Sequence, residues 1–155
     1  MNGPNRHVLI GHIEPGQTYR WRRTVTQADP RAMVRLTGDY SVRNGSGYHV
    51  DAEFARQAGF RGAIAPGLLQ ASLFTKLGGD LNYLARDIAF RYVKPVYAGD
   101  TLDVSLTVTA VEREKHRLSF EGQVTNQSGE VVVTCVSTGY LPRPEWGVPD
   151  KARQD

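Results

Sequence analysis

Along the second half of the chain, apolar and polar residues take turns. Leu102, Val104, Leu106 and Val108 alternate with Asp103, Ser105, Thr107 and Thr109, the period of a strand with one face buried. Leu118, Phe120, Gly122 and Val124 repeat the pattern after the charged turn EREKH, and a third strand, Val131 to Tyr140, follows the turn NQSGE. Ahead of these, Ile88 to Val93 predicts a further strand, interrupted at Pro95, which belongs at a bulge, an edge or a strand start. Nearer the N-terminus, Tyr19 and Trp21 alternate with Arg20 and Arg22, predicting a short strand over Tyr19 to Val25 with one face wet.

In between, the period changes. Ala28, Ala32, Met33 and Leu36 recur on one helical face. Thr26 and Asp29 match a capping pattern at its start; alternatively Asp29 is itself the cap and Pro30 the first helical residue. Gly38 is placed to end this helix. VDAEFARQAG predicts a short helix capped by Asp51 and closed by Gly59. In APGLLQASLFTKLGG, residues Leu68, Leu69, Ala71, Leu73, Phe74 and Leu77 cover most of the circumference, so this helix is expected to be buried. A strand, then helices, then an antiparallel meander is the order of an α+β domain with helices on one face of its sheet. The expected organisation is an irregular segment over 1–18, one domain over 19–141 and a Pro-rich tail over 142–155.

A chain of 155 residues can bury a substantial core without metal or disulfide staples. Its single cysteine, Cys135, has no internal partner and, within VVVTCVS, reads as a buried thiol and not a nucleophile. The formal charge is only +3 and the arginines are scattered, which disfavours nucleic acid but leaves room for an anionic, phosphate-bearing ligand. There is no signal-like apolar start and no run of roughly 18 apolar residues, so a soluble, cytoplasmic protein without membrane contact is expected. His7, His12 and His116 lack metal-ligand spacing, so no metal site is expected. The absence of G-x-S-x-G removes the usual serine-hydrolase reading.

The helix opening APGLLQASL, the later FRYVKPVYAGDTL and the meander together resemble the hot-dog fold, specifically the MaoC-like or (R)-specific enoyl-CoA hydratase group, from about Thr26 to Tyr140. The resemblance implies a single-domain hot-dog fold, an antiparallel sheet wrapped around a buried central helix. Tyr92, Pro95, Val96, Gly99, Asp100, Thr101 and Leu102 stand nearly as in the group's F-x-x-P-V-x-x-G-D-T-L, where Asp100 needs no role beyond its turn. The group's G-D-x-N-P-x-H-x-D is met at its ends, by Gly38-Asp39 and by His49-Val50-Asp51. Two features depart from it. Asp39 and His49 are ten positions apart, roughly twice the group's spacing, with no N-P step, and Pro66 stands where the group has a histidine before the helix-opening glycine.

The implied activity is reversible hydration or dehydration of a 2-enoyl/3-hydroxyacyl thioester. Such chemistry needs a base for water, an acid for C2 and a site for enolate charge. By resemblance, His49 takes the water proton and Asp39 orients that water or carries the proton to C2. The Gly67 amide, with that of Leu68, would receive the thioester oxygen at the start of the helix. Blander readings stand beside these: Asp39 as a turn former, His49 as a surface or packed histidine, Asp51 as a helix cap. Ser72 either lines an acyl pocket or, the preferred reading, bonds its own helix backbone. Tyr40, Asn44 and Tyr48 are candidates for reshaping the pocket around an unusual acyl group.

No cofactor is implied beyond the coenzyme A or phosphopantetheine that forms part of an acyl-CoA or acyl-carrier-protein substrate. Arg61, Arg86, Arg91 and Lys94 are plausible phosphate contacts, none singled out. The resemblance also implies a homodimer. A thioesterase on the same fold and a non-catalytic acyl-thioester-binding protein are the alternatives.

Overall fold

Nine regular elements make up the computed structural model, which describes residues 10–39 and 47–143. In chain order they are β1 (Thr18–Thr24), α1 (Ala28–Thr37), α2 (Ala52–Gln57), α3 (Gly67–Ser72), α4 (Thr75–Leu81), β2 (Leu84–Tyr92), β3 (Thr101–Glu112), β4 (Arg117–Thr125) and β5 (Val131–Tyr140). The strands form one antiparallel sheet in the order β1-β3-β4-β5-β2. The meander expected from the alternation is its centre, and the two strands that precede it in the chain close its two sides.

Strand periodicity decides which residues meet the helices. Leu102, Val104, Leu106 and Val108 on β3 are buried, as are Leu118, Phe120 and Val124 on β4 and Val133 and Cys135 on β5. Phe74, Leu77 and Leu81 of the α3–α4 segment belong to the same core. Phe74 stacks on Phe90 of β2 at 5.8 Å between ring centroids, and Tyr83 meets Phe120 edge-on at 5.1 Å. Close approach needs an empty position on the sheet. A Cβ on Gly122 would stand 2.8 Å from the Phe74 ring.

The continuous helix expected over APGLLQASLFTKLGG is two helices. At the junction the amides of Leu73 and Phe74 bond to the carbonyls three residues back, Gln70 and Ala71, at 3.3 and 3.1 Å. The Ser72 and Thr75 hydroxyls donate to the Leu69 and Ser72 carbonyls at 2.7 and 2.6 Å, drawing those acceptors out of a regular helical ladder. Nor is the segment buried all round. Leu68 is 60 % exposed, because a five-stranded sheet covers only one side of α3.

Part of the N-terminal segment expected to be irregular is firmly attached. Ile10–His12 forms a 3-10 turn, Ile13 is fully buried, and the Gly16 amide donates to the Val108 carbonyl at 2.8 Å. Residues 1–9 and 144–155, which include His7, Pro144 and Pro149, lie outside the described residues. No described helix is long and apolar enough to cross a membrane.

The two sheet edges differ in chemistry. β1 carries Arg20, Arg22 and Arg23, and Arg22 forks onto Asp103 at 2.7 and 2.8 Å. β2 instead exposes Leu84, Ile88 and Tyr92 along an edge with no pairing strand among the described residues.

At the paired side of β2, Gly139 lets the strand start approach β5. A Cβ there would fall on the Leu84 carbonyl oxygen and within 2.7 Å of the Tyr83 ring. Gly139→Ala is expected to destabilise the protein by roughly 1–3 kcal/mol through overpacking against backbone. Chemical denaturation of the variant checks this, and an unchanged midpoint would contradict the close contact.

Candidate active site

Both ends of α1 are fixed, and the far end presents Asp39. At its start the Asp29 carboxylate accepts from the Thr26 amide at 2.7 Å, the Thr26 hydroxyl at 2.9 Å and Arg23 at 2.8 Å. The bond from the Thr26 amide is the main reason that Asp29 is held below the usual carboxylate range; partial burial opposes it, and the Thr26 hydroxyl and Arg23 add to it. Gly38 ends the helix in the left-handed region, at φ 72°, with its amide on the Val34 carbonyl at 2.9 Å. The chain therefore turns away immediately before Asp39.

His49 stands just before a second anchored element. Asp51 caps α2, its Oδ1 accepting from the Glu53 and Phe54 amides at 2.9 and 3.0 Å. The Tyr48 ring packs edge-on against Phe54 and Phe60, at 5.0 and 5.9 Å. These contacts pin the segment on both sides of the imidazole.

The result is a close pair. His49 Nε2 lies 3.5 Å from Asp39 Oδ2, although ten positions separate the residues in sequence. His49 Nδ1 is 2.8 Å from the Ile64 carbonyl oxygen. A carbonyl only accepts, so Nδ1 carries a hydrogen and donates it there, which leaves Nε2 as the ring nitrogen that faces Asp39. The imidazole is 21 % exposed and the carboxylate 61 %, so a sheltered ring stands beside a wet carboxyl group. Tyr40 and Asn44, between them in sequence, lie outside the described residues.

Three residues beyond Ile64, α3 begins. The Leu69 and Gln70 amides turn back to the Pro66 carbonyl at 3.0 and 3.2 Å, and those of Gly67 and Leu68 have no partner among the described residues. The Tyr92 ring fills the place of a side chain at Gly67, where a Cβ would lie 3.0 Å from it. Buried Gln70 donates through Nε2 to the Ala65 carbonyl at 3.1 Å, bracing the turn ahead of the helix. Ser72 is exposed and spends its hydroxyl on Leu69.

Two cavities flank this centre. One, of about 140 Å³, lies between the helices and the sheet, walled by Phe74, Leu77, Ile88 and Phe90, with the hydrogen-bonded pair Tyr83 and Ser137 (2.9 Å) on its lining. Cys135 also borders it, and burial pushes that thiol up to about 11. The other, of about 320 Å³, includes His49, Arg31, Arg56 and Arg61.

The cations singled out from the sequence are mostly occupied. Arg61 bonds Asp100 at 2.7 Å and lies over the Tyr97 ring at 3.9 Å, Lys94 pairs with Glu130, and Arg86 donates to the Tyr140 hydroxyl at 3.2 Å. Arg91 borders a hollow on the outer sheet face. Asp100 does more than form a turn: it is buried and also accepts from the Tyr97 amide at 2.9 Å and Gln127 at 3.0 Å. No group of three or more His, Cys, Asp or Glu able to hold a metal occurs among the described residues. Sequence reasoning passed over the Ile64 carbonyl, Gln70, Arg31 and Arg56, and gave Tyr92 only a place in the sheet motif. Each matters through a contact between separate elements, which local patterns do not encode.

A profile of the MaoC-like domain matches residues 12–131. The chain belongs to this family. Among curated relatives, the (R)-specific enoyl-CoA hydratase of Aeromonas caviae is 29 % identical over 136 residues, covering 84 % of this chain and 96 % of that protein. The mitochondrial 3-hydroxyacyl-[acyl-carrier-protein] dehydratase FERN of Solanum lycopersicum is 27 % identical, covering 84 % and 78 %. The solved structure of an R-hydratase from Pseudomonas aeruginosa superposes with a TM-score of 0.77 at 26 % identity, covering 88 % of this chain and 87 % of that one. These three relatives are named as hydratases or a dehydratase, and the architecture found here is the hot-dog fold.

Because Asp29 has a lowered folded value, its contribution is complete above about pH 4, the unfolded range, and is lost as pH falls through that lowered value. Asp29→Asn is expected to cost about 1 kcal/mol at pH 7 and to show a smaller further loss below pH 4 than the parent. Denaturation midpoints for both proteins from pH 7 to pH 2 check this; parallel curves would contradict it.

Proposed function

We propose that the protein is a lyase that adds water to, or removes it from, a 2-enoyl/3-hydroxyacyl thioester carried on coenzyme A or a carrier protein. The observation that carries the reading is the 3.5 Å approach of His49 Nε2 and Asp39 Oδ2, with the imidazole tautomer set from behind by Ile64. Nε2 takes a proton from water, whose oxygen attacks C3. Asp39 orients that water, receives the proton from Nε2 and passes it to C2, so that one water is added in sum and both side chains end as they began. The Gly67 amide, with that of Leu68, receives the charge that develops on the thioester oxygen. The reaction calls for no group beyond these residues and the thioester carrier. Family membership, with relatives named as enoyl-CoA hydratase and 3-hydroxyacyl-carrier-protein dehydratase, supports the same class of chemistry.

With crotonyl-CoA, loss of the enoyl absorbance without release of free thiol is the expected result. Asp39→Asn and His49→Ala are each expected to lower kcat by about 10²–10⁴-fold. Turnover unaffected by both changes would sink the assignment. Thiol release from a saturated acyl-CoA would identify a thioesterase instead.

We also propose that the active form is a homodimer joined along β2, whose edge exposes Leu84, Ile88 and Tyr92 while the opposite edge is guarded by arginines. Ile88→Glu is expected to halve the mass measured by light scattering. A parent protein that is already monomeric at micromolar concentration would refute the dimer.

A further inference from the structure

We infer that the arginine-lined cavity on which His49 opens is the docking site for the phosphate of the thioester carrier, with Arg31 and Arg56 as its phosphate-binding side chains. The inference rests on the reading of the substrate as a coenzyme A or carrier-protein thioester. The cavity, of about 320 Å³, draws its polar walls from separate parts of the chain: Gln27 and Arg31 at the start of α1, His49, Arg56 on α2, Arg61 beyond α2, and Tyr97 before β3. No carboxylate lies among its lining residues. Three arginines therefore line a space in which the other titratable side chains are the His49 imidazole and the Tyr97 phenol.

The arginines are not equivalent. Arg61 is committed to buried Asp100 and stacked on Tyr97, which makes it a fixed wall whose charge is largely answered. Arg56 meets only Glu53, one turn earlier, at 3.4 Å and with both side chains mostly in water, an ion pair weak enough to exchange for a phosphate. Arg31 has no acidic partner among the described residues. Most other described cations do: Arg22 has Asp103, Arg23 has Asp29, Lys76 has Asp80, and Arg113 has Glu14.

Depth along the cavity fits the ligand. The His49 side chain is 21 % exposed, whereas Arg56 is 56 % and Arg61 61 %. Within this lining the imidazole is thus the more sheltered group and the arginines the wetter ones. Phosphopantetheine thioesters have this layout, a neutral reactive end on an uncharged arm that terminates in a phosphate. Guanidinium forks bind phosphate oxygens in pairs, which suits Arg31 and Arg56 better than a point charge would. The larger hollow on the outer sheet face carries Arg20 and Arg91, but it also carries Glu121, whose charge opposes an anion, and it holds no histidine.

The test compares crotonyl-CoA, crotonyl-phosphopantetheine and crotonyl-pantetheine, the last without phosphate, in the parent and in the Arg31→Ala/Arg56→Ala double variant. The ratio of kcat/KM for a phosphate-bearing substrate to that for crotonyl-pantetheine is expected to fall about tenfold or more in the variant. A fall for both phosphate-bearing substrates assigns the site to the pantetheine phosphate, and a fall for crotonyl-CoA alone assigns it to the nucleotide end of coenzyme A. Unchanged ratios overturn the inference. If the parent turns over none of the three, the proposed reaction fails separately, and equilibrium binding of free coenzyme A decides the site: weaker binding by the variant upholds it and equal binding refutes it.

Discussion

Every backbone polar group of Ile64 and Ala65 is spoken for, and together the four reach three other parts of the molecule. The Ile64 amide donates to the Tyr48 carbonyl and the Ile64 carbonyl accepts from His49, while the Ala65 amide donates to the Val96 carbonyl and the Ala65 carbonyl accepts from Gln70. Two residues thus tie together the segment leading into α2, the connection from β2 to β3, and the helix that begins at Gly67. Such complete pairing is what an interior backbone requires, and here it also sets geometry. The ring that would accept a proton and the amides that would steady an oxyanion are referred to the same short stretch of chain. A shift of that stretch moves both together.

The sheet supplies the rigid floor for this arrangement. Alternation on β3, β4 and β5 turns a continuous apolar face towards α3 and α4; Gly122 removes a side chain where Phe74 meets the sheet, and Gly139 one where the start of β2 meets β5. The edges show a division of labour. Arginines on β1 keep that side solvated, whereas apolar side chains on β2 leave the other side suited to company.

Legibility in the sequence followed the range of the interactions. Features set by neighbours in the chain were readable: the strand alternation, the Gly38 stop, the Asp51 cap, and the α+β order that led to the hot-dog family. The motif ends singled out Asp39 and His49, but only folding brings the two side chains within 3.5 Å. What escaped depends on contacts across elements. The break at Leu73 and Phe74 comes from hydroxyls competing for carbonyls, and apolar composition alone concealed it. Arg31 and Arg56 look like ordinary solvated helix residues until α1 and α2 are set side by side.

The pinning of Asp39 and His49 at either end of their connecting segment has a consequence for how this family can vary. One end is held by α1 and its terminal glycine, the other by the capped start of α2 and by Ile64, so neither end relies on the residues that join them. Doubling the length of a flexible loop costs only roughly 0.6 kcal/mol in closure entropy. Insertions at this point are therefore cheap in stability, and they leave the acid and the imidazole where they were. A change of length between Asp39 and His49 therefore falls on a part of the chain that the placement of neither side chain depends on.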